Sequence, residues 1–507
     1  MNGQRIPRQI RVLFTLCTLF FLIACGTLQV EIERTPTPDQ AATATVSALA
    51  TENARLATQV TTRTASDQAA TATVAALATE NARLATQVAT LTASTPALPS
   101  KLGKVAYVQG GDIWVKALPD GKPQRLTTDG RNNTPRWSPS GEWIAFRKGD
   151  YGQVWVMRAD GSDARSLETP PDAAFAWSPV TDRLAYADID RLLVIHPDGS
   201  ETLTPVSGPQ VNPPTPPPPE AQRIGRIAWS PDGHWIAYEW QRQQPDQPPI
   251  YQGLWKVSAN GEQLTELYIS GIPVKGEAIL AGWSPDGQYI LFWQGDILSA
   301  SMLADGVPLY SLPASGGEPI QLVDAVLVHD DFLASAPQSQ RLAVTAGGYR
   351  ATWTNKRLAA VEASGGTLTW LTDESVAAFS PTWSPDGKRL AYVSMPDRGD
   401  LVGGDTARLG MMERHIWLMN ADGSGQRQLT NDPGYRDERP LWSADGNHLL
   451  IARMAAEGAA SLWLMPAEGG DPYQVVEELT PLPGPASGWF GYYGYVDWDQ
   501  LFAWWQS

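Results

Sequence analysis

The residues with the chemistry for catalysis are few in this chain, and none is spaced for it. The five histidines, His196, His234, His329, His415 and His448, include no two at metal-ligand spacing. Two carboxylate pairs, Asp330 with Asp331 and Asp497 with Asp499, have the chemistry of general acids and bases. In a chain with 54 acidic residues, such pairs are expected to be solvated surface groups. There is no Gly-x-Ser-x-Gly elbow to present a nucleophile and no phosphate-cradling glycine loop. The sequence therefore predicts no catalytic residue, no metal and no cofactor. Residues suited to recognition remain: the run Trp489-Phe490-Gly491-Tyr492-Tyr493-Gly494-Tyr495, the isolated Trp353, and Arg398 with Asp400 in a glycine-rich stretch. Aromatic rings of this kind stack on sugars or peptide side chains. The alternative for the aromatic run is a plug packed on the rest of the fold.

Composition narrows the partner. The 507 residues carry 38 Lys and Arg against 54 Asp and Glu, a net charge of −16, which argues against nucleic acid because phosphate neutralisation needs clustered cations. All 21 tryptophans lie at Trp114 or later, so the chain consists of two unlike parts.

The first part begins with Arg5, Arg8 and Arg11 ahead of an apolar run from Val12 to Ala24, the pattern of a secretory signal over residues 1–24. Its end, Leu22-Ile23-Ala24-Cys25, resembles the lipobox of bacterial lipoproteins, which implies acylation of Cys25 and anchoring in a lipid bilayer, with 25–39 as a linker. An ordinary signal peptide ending near a cysteine is the alternative. With Cys17 removed and Cys25 lipidated, the mature globular part has no thiol, so disulfides and thiolate sites are excluded.

Residues 40–95 repeat with a period of 28, four heptads. Val46, Asn53, Val60, Val74, Asn81 and Val88 fall at position a, and Leu49, Leu56, Leu77, Leu84 and Leu91 at position d. This is a coiled-coil seam that would make a homo-oligomeric stalk roughly 84 Å long. The abundant Thr leaves a solvated tether as the other reading. A linker spans 96–103.

From residue 104 to 507 a unit of about fifty residues recurs, the length of a four-stranded propeller blade. Its first turn is Trp-Ser-Pro-Asp-Gly or a close variant, at Trp137, Trp177, Trp229, Trp283, Trp383 and Trp442, with degenerate copies at Ala336-Pro337-Gln338 and Asp497-Trp498-Asp499. Its second is a Gly hairpin at Gly121, Gly161, Gly199, Gly261, Gly316, Gly365, Gly423 and Gly469. Both count to eight. The chain opens without a Trp turn and closes without a hairpin, so its two ends complete one blade. Leu501-Phe502-Ala503-Trp504 then looks like a ninth copy of a strand already supplied by Val105–Val108, which leaves seven blades as the alternative. The expected fold is all-β, an eight-bladed β-propeller.

These units resemble the WD40-like propeller repeats of TolB and its relatives across about four-fifths of the chain. The resemblance implies the fold; the lipobox and heptads stand where TolB has an α/β domain, so it does not carry over a role in the Tol system. In such blades the two short turns share one face. The long segments, Pro205–Gln222, Gln241–Pro249, Trp293–Pro308, Asp324–Phe332, Gly347–Asn355, Ser394–His415 and Glu477–Tyr495, all fall on the other. Loops on a rigid scaffold carry specificity. The expected function is thus a non-catalytic protein- or glycan-binding module on the elaborated face of a membrane-anchored extracytoplasmic lipoprotein. A propeller hydrolase or lyase acting on extracellular polysaccharide is the alternative.

Overall fold

The computed structural model describes residues 51–56, 79–80, 82–83, 102–149, 152–208, 221–243, 250–269, 277–295, 305–399, 410–455, 459–480 and 493–506. The chain divides into two units, Met1–Ala97 and Leu98–Ser507. In the first, the described residues are helical, with Arg55 paired to Glu52 and Arg83 to Glu80 one turn away. The remainder of the expected stalk (40–95), the signal peptide, Cys25 and its linker lie outside the described residues. No described helix is long and apolar enough to cross a membrane.

The second unit is built from eight four-stranded antiparallel sheets. Their inner strands are Phe502–Trp505, Asn132–Trp137, Phe175–Trp177, Ala221–Trp229, Glu277–Trp283, Leu333–Ser335, Val376–Trp383 and Tyr435–Trp442, defining blades 1 to 8. Outer strands are Gln124–Arg125, Arg165–Ser166, Thr202–Ser207, Leu264–Ile269, Ile320–Val326, Thr369–Trp370, Arg427–Gln428 and Tyr473–Leu479. Each sheet is covered on both faces by its neighbours, so second strands read as continuous apolar runs rather than alternating ones. Ile144-Ala145-Phe146 and Leu390-Ala391-Tyr392 are buried throughout.

The Trp turns work as the sequence implies. In the intact copies the Ser hydroxyl donates to the Asp carboxylate (Ser284 to Asp286, 2.6 Å), and the same carboxylate accepts the amide two residues on (Gln288, 3.1 Å). The Ser oxygen also accepts the amide five residues on (Tyr289, 2.9 Å). The Asp therefore ties its own turn. The turn glycine needs its left-handed conformation: Gly287 has φ +70° and its Cβ position lies 3.7 Å from Pro231 of the preceding blade.

The tryptophans link blade to blade. Trp137, Trp177, Trp229, Trp283, Trp383 and Trp442 each donate the indole N–H to a backbone carbonyl of the preceding blade's inner strand, namely Ala503, Arg136, Ala176, Ala228, Ala334 and Thr382. Blade 6 has Ser335 in the Trp position. Blade 1 has Trp504, whose N–H goes to Leu102 of its own blade, and Gln506 reaches Trp442 of blade 8 instead.

This ladder corrects one assignment. Trp498 is not a degenerate Trp turn; it lies on a 3-10 turn, Trp498–Gln500. The apparent ninth strand is the inner strand of blade 1, Phe502–Trp505, which pairs antiparallel with Lys104–Gln109. The register confirms this, because Trp137 bonds to Ala503, the residue before Trp504, as every other latch bonds to the residue before the preceding blade's Trp position.

Candidate functional site at the channel mouth

Strand topology puts the short turns on one face and the long connections on the other, and inner strands line the centre of the ring. Several inner strands are bulged at corresponding points, with register shifts at Asn133/Arg136, Ile224/Ile227, Phe379/Thr382 and Glu438/Leu441. Three of these bulges hold a non-glycine residue at positive φ: Thr134 (54°), Ser380 (49°) and Arg439 (50°). Bulges of this kind re-aim side chains at functional positions.

The re-aimed groups converge on the closing segment. Arg439 donates to both carboxylate oxygens of Asp499 (2.8 and 3.0 Å), and Arg136 donates to the Asp499 backbone carbonyl. Asp331, on the 3-10 turn Asp330–Phe332 before blade 6, accepts from Ser380 and from the Tyr495 hydroxyl at 2.8 Å. The Tyr495 ring stacks on His329, centroids 3.6 Å apart. Buried Arg414 donates to Glu438 (2.6 Å), the Gly494 carbonyl (2.7 Å) and the Thr352 hydroxyl (2.6 Å), and Glu438 also accepts from the Trp498 indole (2.6 Å). Residues 493–500 are therefore held by blades 2, 6, 7 and 8 at once, which requires them to cross the channel mouth. They form a plug.

Environment drives the plug's carboxyls apart. Burial pushes Asp331 up to about 6 against the pull of Arg439. Burial acts on Asp499 too, but Arg439 and Arg136 overcome it and hold that carboxyl below its usual range. Burial draws His329 down to about 4 and raises the Tyr495 phenol well above its ordinary value.

Toward blade 4, fully buried Glu239 accepts from the Arg226 amide (2.9 Å) and the Gln241 side chain (3.2 Å), while the Arg226 guanidinium reaches Asp330 at 2.6 Å. Gly225 makes this approach feasible, since a Cβ there would stand 2.1 Å from the Gln241 amide. Burial pushes Glu239 from 4.5 to about 7, with Arg226 and Gln241 offsetting part of the rise. A carboxyl with a raised folded-state pKa contributes stability below pH 4.5 that is lost as the pH rises through 7. Glu239→Gln is expected to raise stability at about pH 8 by up to about 3 kcal/mol and to change little at about pH 4, measurable by thermal melts at both.

Three of the recognition candidates fall in the described residues, and the loops of blades 6 and 7 bring them together. Trp353 is 1% exposed and packs inward on Ala351, Ala377, Met395 and Met411. Its carbonyl accepts the Arg398 amide at 3.1 Å, and Arg398 pairs with Glu413. Tyr493 is 38% exposed and accepts the Thr352 amide on its carbonyl; the Arg350 guanidinium lies 5.4 Å from its ring while bridging to Asp305. Asp400, Trp489 and Tyr492 lie outside the described residues. Among the described residues, no group of three or more His, Cys, Asp or Glu gathers to hold a metal. Sequence reasoning read Asp331 and Asp499 as solvated surface pairs and Tyr495 as one ring of the aromatic run, and it passed over Arg439, Arg414 and Glu438. The available signal was Arg436-Asp437-Glu438-Arg439, four charges in an inner strand.

Comparison with known proteins agrees with this architecture. A stretch of 95 residues, 19% of the chain, is 37% identical to an uncharacterized peptidase, YuxL, of Bacillus subtilis and covers 12% of it. A stretch of 76 residues, 15% of the chain, is 38% identical to the Tol-Pal system protein TolB of Rhizorhabdus wittichii and covers 16% of it. The chain thus spans a small share of either relative's own length. The crystal structure of Porphyromonas gingivalis dipeptidyl peptidase 4 aligns with a TM-score of 0.51 at 11% identity, over 76% of this chain and 63% of that one, a likeness of fold alone. No family model matches the sequence. With its repeats shared with TolB and its ring of eight blades, the chain carries a TolB-like β-propeller.

Proposed function

We propose that this chain is an extracytoplasmic binding module, anchored to a bilayer through acylated Cys25 and oligomerised by its heptads, that takes a protein or glycan ligand on the elaborated face. The observation that carries this reading is the plug: residues 493–500 commit their polar groups to blades 6, 7 and 8, which leaves the loop rim to meet a ligand. On that rim Tyr349 (44% exposed) and Tyr493 flank Arg350, an aromatic and cationic grouping enriched at binding hot spots. The test is to screen the full chain against glycan and peptide arrays and repeat the screen with Arg350→Ala and Tyr493→Ala. Loss of about ten-fold or more in affinity for the captured ligand is expected from either variant. Retained binding in both would overturn the reading.

A second reading, carboxylate chemistry at the mouth, is favoured by the opposed states of Asp331 and Asp499, the arrangement of an acid beside a base. Turnover of an arrayed polysaccharide or peptide that disappears in Asp499→Asn would establish it in place of the first.

A further inference from the structure

The eight blades are copies of one design, so a residue that departs from the pattern in a single blade identifies a place where packing alone does not set the choice. Lys256 is such a residue. It pairs with Ala237 across the second and third strands of blade 4. The positions in the same register elsewhere are Val115, Val156, Val194, Ser311, Ala360, Leu418 and Leu464, all apolar or small. An ammonium stands here where the other blades place aliphatic or small groups.

The ammonium enters a cavity of about 380 Å³ between blades 4 and 5, on the face of the short turns and away from the elaborated loops. Its walls include the rings of Trp235 and Trp283, the turn prolines Pro231 and Pro285, and the carboxylates Asp232 and Asp286. Lys256 lies 4.3 Å from the Trp235 ring centroid and gives one hydrogen bond to the Ala314 carbonyl at 2.6 Å, with two N–H groups remaining. In both turns Oδ1 is committed to the turn itself, Asp232 to Ser230 and His234 and Asp286 to Ser284 and Gln288; Asp232 Oδ2 stands 3.3 Å from the His234 imidazole and Asp286 is also bonded by the Gln340 side chain, which leaves lone pairs on each carboxylate for a ligand hydroxyl. The volume lies in the range of small-molecule sites, and the lining combines two indole rings with polar groups in about equal share.

We propose that this inter-blade cavity binds a neutral pyranose sugar. A pyranose presents a flat C–H face that stacks on an indole and a rim of hydroxyls that both donate and accept. The carboxylates of Asp232 and Asp286 accept from that rim and Lys256 donates to it. An anionic ligand would meet two carboxylates, and a simple cation would meet the ammonium, so the mixed rim selects against both. This site is separate from the elaborated-face site and does not depend on it.

The test is saturation-transfer NMR on the full chain with the methyl pyranosides of glucose, galactose and mannose. Two variants preserve the fold while removing the chemistry. Lys256→Met restores the apolar character of the other blades, and Asp232→Asn keeps the oxygen that ties the turn. At least one pyranoside is expected to bind the wild type and to bind each variant about ten-fold more weakly, while Asp386→Asn, the same substitution in the matching turn of blade 7, leaves it unchanged. No signal with any of the three, wild-type binding in both variants, or an equal loss in Asp386→Asn would overturn the proposal.

Discussion

Deletion of residues 502–507 is expected to abolish the cooperative thermal transition of the propeller and leave a species that aggregates on size-exclusion chromatography. Phe502–Trp505 is the inner strand of blade 1, paired along Lys104–Tyr107, and Phe502 is 2% exposed. Without it Lys104–Gln109 becomes an open edge at the centre of the ring, the geometry that invites pairing between chains. The deletion also removes the acceptor at Ala503 that Trp137 uses, the Trp505 ring packed against Gly141, and the Gln506 clamp on blade 8. Lost apolar burial, ladder bonds and two blade contacts together reach the order of the total stability of a domain, about 5–15 kcal/mol. Phe502→Ala is the graded control, expected to cost about 3–5 kcal/mol while keeping a single transition. A truncated chain that melted cooperatively near the wild-type temperature would mean the ring tolerates an open inner strand.

The same strand shows where local pattern stops being informative. Turn residues act locally: in the intact Trp turns the Ser and Asp bond within five residues, so the motif is legible from its own letters and the blades can be counted. Trp504 is the exception, because what makes it the blade 1 Trp position is that the next blade's Trp137 bonds to the residue before it, a contact spanning 366 residues. Trp498 resembles a Trp-turn residue equally well, and its indole instead goes to Glu438.

The channel mouth was less legible for a related reason. Asp330 with Asp331 and Asp497 with Asp499 read as isolated surface pairs, since nothing in their neighbourhoods marks them as partners. They meet because bulges in two distant inner strands turn Ser380 and Arg439 toward them. The expectation of solvated carboxylates therefore fails for Asp331, which is 8% exposed, and holds for Asp330, whose side chain is 69% exposed. Trp353 illustrates the converse. A lone tryptophan in a long loop reads as a contact residue, and the loop folds it inward against two methionines.

Arg414→Met is expected to destabilise the propeller by about 3 kcal/mol near neutral pH, because it removes one of the two guanidinium partners of buried Glu438, the other being Arg436 at 3.2 Å. Glu438 is 2% exposed, and burial alone would raise its pKa; Arg436 and Arg414 reverse that and hold it below its ordinary value. A depressed carboxyl contributes stability present above its unfolded pKa and lost as the pH falls through the folded one. The variant takes away part of that depression, so its cost is expected to be greatest at about pH 7 and to shrink toward about pH 4, where Glu438 can take a proton. Adding Glu438→Gln to Arg414→Met should recover part of the loss at neutral pH, limited by buried Arg436, which then loses the Glu438 carboxylate, and a double-mutant cycle from denaturant melts would measure the coupling. A cost independent of pH, with no recovery in the double variant, would mean that Arg414 acts through its bonds to Gly494 and Thr352 and its packing on Phe379 instead. Either result bears on the binding face, since Gly494 and Thr352 are the points where Arg414 fastens the plug to the loop that carries Arg350. Under the first, the plug is held by the charge of the mouth and would loosen in acid; under the second, it is held by geometry at every pH.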